Sequence, residues 1–234
     1  MQPGGRGSGL RRRIRGSLRR RHTHEGIGQG DTKDLLVSQT YRASAFPVSV
    51  RFRPPDAYWG GVQYRNGGFG FIQLSHHRTG SVPLHGVGYI TLEAAVGRAP
   101  SVATAIARLH DTPHILATPI KTTRIAANVA KEFDATIVGV DGPGTGGGIS
   151  LAPFLTNPHC GFCGNGEPTT ETRDVKFAGK GQLFHIIVLG VHSKTVVIYV
   201  ESGFADQPRY PPTKTFPTFL PYARPMLLAL TFGR

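Results

Sequence analysis

The chain carries 31 glycines and 18 prolines among 234 residues, and no other feature narrows its choice of fold so much. Glycine loses the most backbone freedom on folding, and proline lacks the N–H that helix interiors and central strands use. A sequence punctuated this often favours short strands, turns and irregular connections over a bundle of long helices. The length suits one domain with a real core. The expected class is therefore α+β.

Charge divides the chain unevenly. Residues 1–30 hold eight arginines and one glutamate, whereas the remaining 204 hold 19 Lys and Arg against 13 Asp and Glu. The runs Arg11, Arg12, Arg13 and Arg19, Arg20, Arg21 stand among glycines, with too little apolar surface to offset the entropy of ordering. Residues 1–34 are thus expected to form a disordered basic arm, ahead of a domain over 35–202 and a proline-rich tail over 203–234. Guanidinium groups pair with phosphates, so RNA, DNA, another polyanion or an anionic membrane surface are natural partners for those six arginines. An organellar leader, a nuclear-import signal and a plain solvated tail fit the same composition. No aromatic residue interleaves with the arginines, so contact there would be by charge alone. The arm lacks the apolar run of a secretory signal, and no window approaches the roughly 18 apolar residues of a membrane-spanning helix. Secreted, nuclear and organellar locations all stay open.

Along the domain, 35–41 and 48–52 read as short strands, and the aromatic, glycine-rich stretch 59–71 as a loop. Val87–Thr91 suits a buried strand. Val102, Ile106 and Leu109 recur at helical spacing behind Pro100. Ile125, Val129 and Phe133 do so behind Thr123, predicting a second helix over 123–133. Thr136–Val140 is a strand, and Leu183–Leu189 with Thr195–Val200 form the strongest hairpin, turning around His192–Lys194. Beyond Ser202 the prolines predict an extended tail.

Two motifs invite specific chemistry. Asp141 and the glycine-rich run 142–148 follow a strand, as in phosphate-cradling loops, but Gly148 and Ile149 stand where a P-loop needs Lys and Ser or Thr. Cys160 and Cys163, with His159, could offer zinc two or three ligands, and His185 or His192 would have to complete the set. Without a second C-x-x-C, two incidental thiols are the expectation, and no metal is expected.

A further pattern lies in the order of short motifs. Tyr41-Arg42 sits on a strand, and Gly67-Gly68-Phe69 follows a Pro-containing stretch. Then come Leu74-Ser75-His76-His77-Arg78-Thr79-Gly80 and the strand Tyr89-Ile90-Thr91-Leu92-Glu93, followed by a helix over Ser101–Leu109 and a strand over His114–Ile120. Over about 100 residues this order resembles the enzymatic A subunits of cholera-toxin-like and pertussis-toxin-like ADP-ribosyltransferases. The resemblance implies a split β-sheet core with short helices, and NAD as the substrate whose ADP-ribose passes to an acceptor protein or nucleic acid. It implies that Arg42 braces the NAD site and contacts phosphate, that His77 lines the nicotinamide side, and that Thr91 supports the site from its strand. The family's paired acidic or amide and acidic residues are reduced here to Ala130 and Glu132, which leaves Glu132 as the catalytic carboxylate and implies a degenerate enzyme. The alternative is a non-enzymatic basic protein that binds nucleic acid or other polyanions through the arm.

Overall fold

The structure is a computed structural model that describes residues 25–29, 33–66, 69–76, 88–139, 148–151, 153–154, 176–202 and 212–233. Its centre is a long, mostly antiparallel sheet. The strands enter as β1 (Glu25–Gly26), β2 (Gly28–Gln29), β3 (Lys33–Asp34), β4 (Tyr41–Ala43), β5 (Ser49–Phe52), β6 (Trp59–Asn66), β7 (Phe69–His76) and β8 (Gly88–Ala95). After helix α1 (Val102–His110) come β9 (Ile115–Ala117), β10 (Lys121–Ile125), β11 (Asn128–Ile137), β12 (Gly148–Leu151), β13 (Lys176–Gly179), β14 (Leu183–Val191) and β15 (Lys194–Ser202). Helix α2 (Pro212–Ala229) and β16 (Thr231–Gly233) end the described chain. The main sheet runs β10-β11-β14-β15-β8-β7-β6-β2, with β3 also on β6 and β9 also on β11. A smaller sheet runs β1-β4-β5-β16, and β12 pairs with β13. The α+β class holds: among the described residues, two helices lie against a predominantly antiparallel sheet.

Both faces of the main sheet are covered, because its central strands are apolar at nearly every position. On β15, Val196, Ile198 and Val200 enter one core while Val197 and Tyr199 enter the other. The first core joins the sheet to β4, β5 and the buried face of α2, through Tyr41, Phe52, Phe219 and Met226. The second holds Ala105, Ile106 and Leu109 of α1 with Ile149, Leu151 and Ala178. Helix α1 starts where Ser101 Oγ accepts the Thr104 N–H at 3.1 Å, which satisfies one of the open first-turn donors. Arg108 and His110 sit in its last turn, where cations complement the helix dipole.

Four sequence expectations are corrected. Residues 123–133 are the hairpin β10–β11, with Ile125 opposite Asn128 and Ala126-Ala127 in the turn. Both alanines have positive φ, 47° and 67°, the conformation a two-residue type I′ turn requires. Asn128 Nδ2 donates to the Ile125 and Ala126 carbonyls and helps hold it. The stretch 59–71 is not a loop; β6 and β7 pair over their full length, from Trp59 opposite His76 to Asn66 opposite Phe69. The proline-rich tail contains α2 rather than extended chain. Pro217, Pro221 and Pro225 all lie on its solvent side, while Phe219, Ala223 and Met226 face the sheet. The expected strand 35–41 is largely a turn, with Gln39 N–H bonded to Leu36 O, and β4 begins only at Tyr41.

Candidate functional site

A cleft of about 500 Å³ opens where α2 crosses the edge of the main sheet formed by β10, β11 and β14. Its floor is apolar, from Ile125 and Ile187 on the sheet and Leu220, Ala223 and Leu227 on α2. Strand alternation sets the polar wall. Glu132 and Asp134 are two residues apart on β11 and share a face. His185 of β14 stands directly opposite Asp134, and Ile187 opposite Glu132. Thr123 from β10 and Arg224 from α2 also line the cleft. Arg124 borders it too, but its partner across the hairpin is Val129, on the other face of the sheet, and its guanidinium donates to the Ala127 carbonyl at 3.3 Å.

The imidazole of His185 sits between two carboxylates. Nδ1 lies 2.8 Å from Asp134 Oδ1, and Nε2 lies 3.5 Å from Glu132 Oε2. A carboxylate only accepts, so the short contact puts the hydrogen on Nδ1 and directs Nε2 into the cleft. The His185 and Glu132 side chains are each 23% exposed and Asp134 57%, so solvent and solutes reach all three. The backbone of Asp134 is pinned from both sides: its N–H donates to Thr118 Oγ1 at 2.9 Å, and its carbonyl accepts from Thr118 N–H at 2.9 Å. Thr118 lies between β9 and β10, where β11 exchanges one edge partner for the other. Two carboxylates, an oriented imidazole, Arg224 and Arg124 at the border and an apolar floor together make a pocket of the kind that small organic ligands occupy.

Of the described residues that the ADP-ribosyltransferase resemblance singles out, Glu132 alone lies in this cleft. Arg42 is exposed on β4 in the smaller sheet, opposite Arg51, while its neighbours Tyr41 and Ala43 face the core. Thr91 is 5% exposed on β8 and points to the opposite face of the main sheet from Glu132, its Oγ1 without a hydrogen-bond partner among the described residues. Glu93 shares that face; it is buried and accepts the Tyr199 O–H at 3.2 Å. The structure therefore does not bring Arg42, Thr91 and Glu132 together. His77, the six arginines of the arm, residues 141–147 and the pair Cys160 and Cys163 lie outside the described residues. His185, a distant candidate for zinc on sequence grounds, is engaged by Asp134 instead. Among the described residues, no group of three or more His, Cys, Asp or Glu is arranged to hold a metal ion, and no helix is long and apolar enough to cross a membrane.

Comparison with protein-family models, curated proteins and solved structures gives no match.

Proposed function

We propose that the protein binds a small organic molecule in the cleft between α2 and the β10–β11–β14 edge, and that His185 exchanges a proton with it. The 2.8 Å contact between Asp134 and His185 carries this reading. A carboxylate that fixes one imidazole nitrogen leaves the other oriented toward a bound molecule, the arrangement used by general acids and bases. A fragment set of small aliphatic and aromatic amines, acids and alcohols tests it by protein-observed NMR. Binders should move the His185 ring signals together with the Ile125 and Ile187 methyls. They should be lost in Leu228→Trp, which fills the cleft from a 67% exposed position. Binders that leave those signals still, or no binder at millimolar concentration, would remove the cleft from the protein's function.

A second reading is favoured by Glu132 alone. An ADP-ribosyltransferase-like protein, with the split-sheet core that class implies, would use NAD, whose nicotinamide–ribose bond breaks through an oxocarbenium-like state that a carboxylate stabilises. Glu132 is a carboxylate in a cleft, with the Arg224 guanidinium at its rim for a pyrophosphate. Arg42 and Thr91 have no part in it. The reading predicts nicotinamide release from NAD that Glu132→Gln abolishes; release unchanged by that substitution excludes Glu132 from any such chemistry.

A further inference from the structure

We infer that the ligand of this cleft carries a primary ammonium group, which it sets beside His185 Nε2 and Glu132 Oε2 so as to donate to both. The inference rests on the cleft being the binding site and names the chemistry that the site selects. In its neutral form, with the Nδ1 hydrogen donated to Asp134, the His185 ring presents a lone pair at Nε2, and Glu132 Oε2 faces it at 3.5 Å. Two acceptors in that position repel unless a hydrogen lies between or beside them. A primary ammonium brings three donors, enough for both atoms, and its charge is matched by Glu132 and Asp134. The apolar floor of Ile125, Ile187 and Leu220 suits an aliphatic body behind that head.

The experiment titrates the full chain with n-hexylamine, hexyltrimethylammonium, 1-hexanol and hexanoate, and follows the His185 ring by NMR. Hexylamine should give a saturable shift, with affinity falling about tenfold or more in Glu132→Gln. Hexyltrimethylammonium, which has the charge but no N–H, should leave the ring unmoved. Equal binding of the trimethylated cation, or hexylamine affinity indifferent to Glu132→Gln, overturns the inference. Hexanoate or hexanol moving the ring while hexylamine does not also overturns it, and leaves the cleft itself standing as a binding site. Silence from all four overturns it as well, and the fragment set then decides whether the cleft binds anything.

Discussion

Tyr199 is fully buried, and its hydroxyl donates to the buried carboxylate of Glu93. Burial first, and then the Glu93 charge, hold its phenol well above the ordinary range. Tyr89, half-buried, is raised as well, by burial and then by Glu201. In the unfolded chain both ionise near pH 10, whereas in the fold they keep their protons. The folded state is therefore fully favoured below about pH 10 and loses stability as pH rises beyond it. Tyr199→Phe should flatten that alkaline loss in urea melts recorded from about pH 9 to about pH 11; an unchanged slope would assign it to other groups. Gly88 is a second residue on which much depends. A Cβ there would stand 2.4 Å from the Phe219 ring and 2.6 Å from the Glu201 carbonyl oxygen. Since the carbonyl belongs to the paired strand β15, Gly88→Ala should cost about 1–3 kcal/mol and lower Tm accordingly. The site itself is partly legible at this scale. Glu132 stands out in the sequence, but as the remnant of a pair and on the wrong type of element. Nothing in the sequence joins Asp134 to His185, because 51 residues separate them and only the β11–β14 register sets them face to face.

At the scale of elements, the clearest expectations are those with one possible period. The two apolar, β-branched runs in 183–200 with a turn between them produce β14 and β15, and the spacing of Val102, Ile106 and Leu109 produces α1. The stretch 123–133 misleads because a spacing of four residues is one face of a helix and also two steps along one face of a strand. Val129 and Phe133 do share a face, but of β11. The turn between β10 and β11 gives no warning either, since alanine rarely adopts the left-handed backbone that Ala126 and Ala127 hold. That strain is removable. The double variant Ala126→Asn with Ala127→Gly supplies the residue types that a type I′ turn prefers. It should raise stability by about 1 kcal/mol or more, read as a higher urea midpoint. A lower midpoint would mean that the packing of the alanine methyls outweighs the strain of the turn. Helix α2 is hidden by its prolines, each of which removes a helical hydrogen bond. Spaced four apart, they fall on one exposed stripe, where water can serve the carbonyls left open, while Phe219, Ala223, Met226 and Leu227 anchor the other side.

The molecule as a whole is built around β14 and β15, which contribute to both cores and pair with each other over eight residue positions. Hydrogen exchange should be slowest in those two strands and faster in β10, which among the described residues pairs only with β11. Equal protection across the sheet would contradict this. The arm poses a separate question at this scale, because Arg11, Arg12, Arg13, Arg19, Arg20 and Arg21 offer charge without stacking partners. Removing residues 1–24, which carry all eight arginines ahead of β1, should abolish binding to a polyanion such as heparin, binding that in the full chain weakens steeply with salt; retained binding would move the contact to the body. Finally, the cleft lies at the sheet's margin, with Thr123, Glu132, Asp134, Arg224 and Leu228 all outside the two cores. Substitutions at these five positions leave the interior packing alone. Recognition can thus diverge between lineages while the scaffold stays constant, and the same separation offers an engineer five sites to randomise without reopening the question of folding.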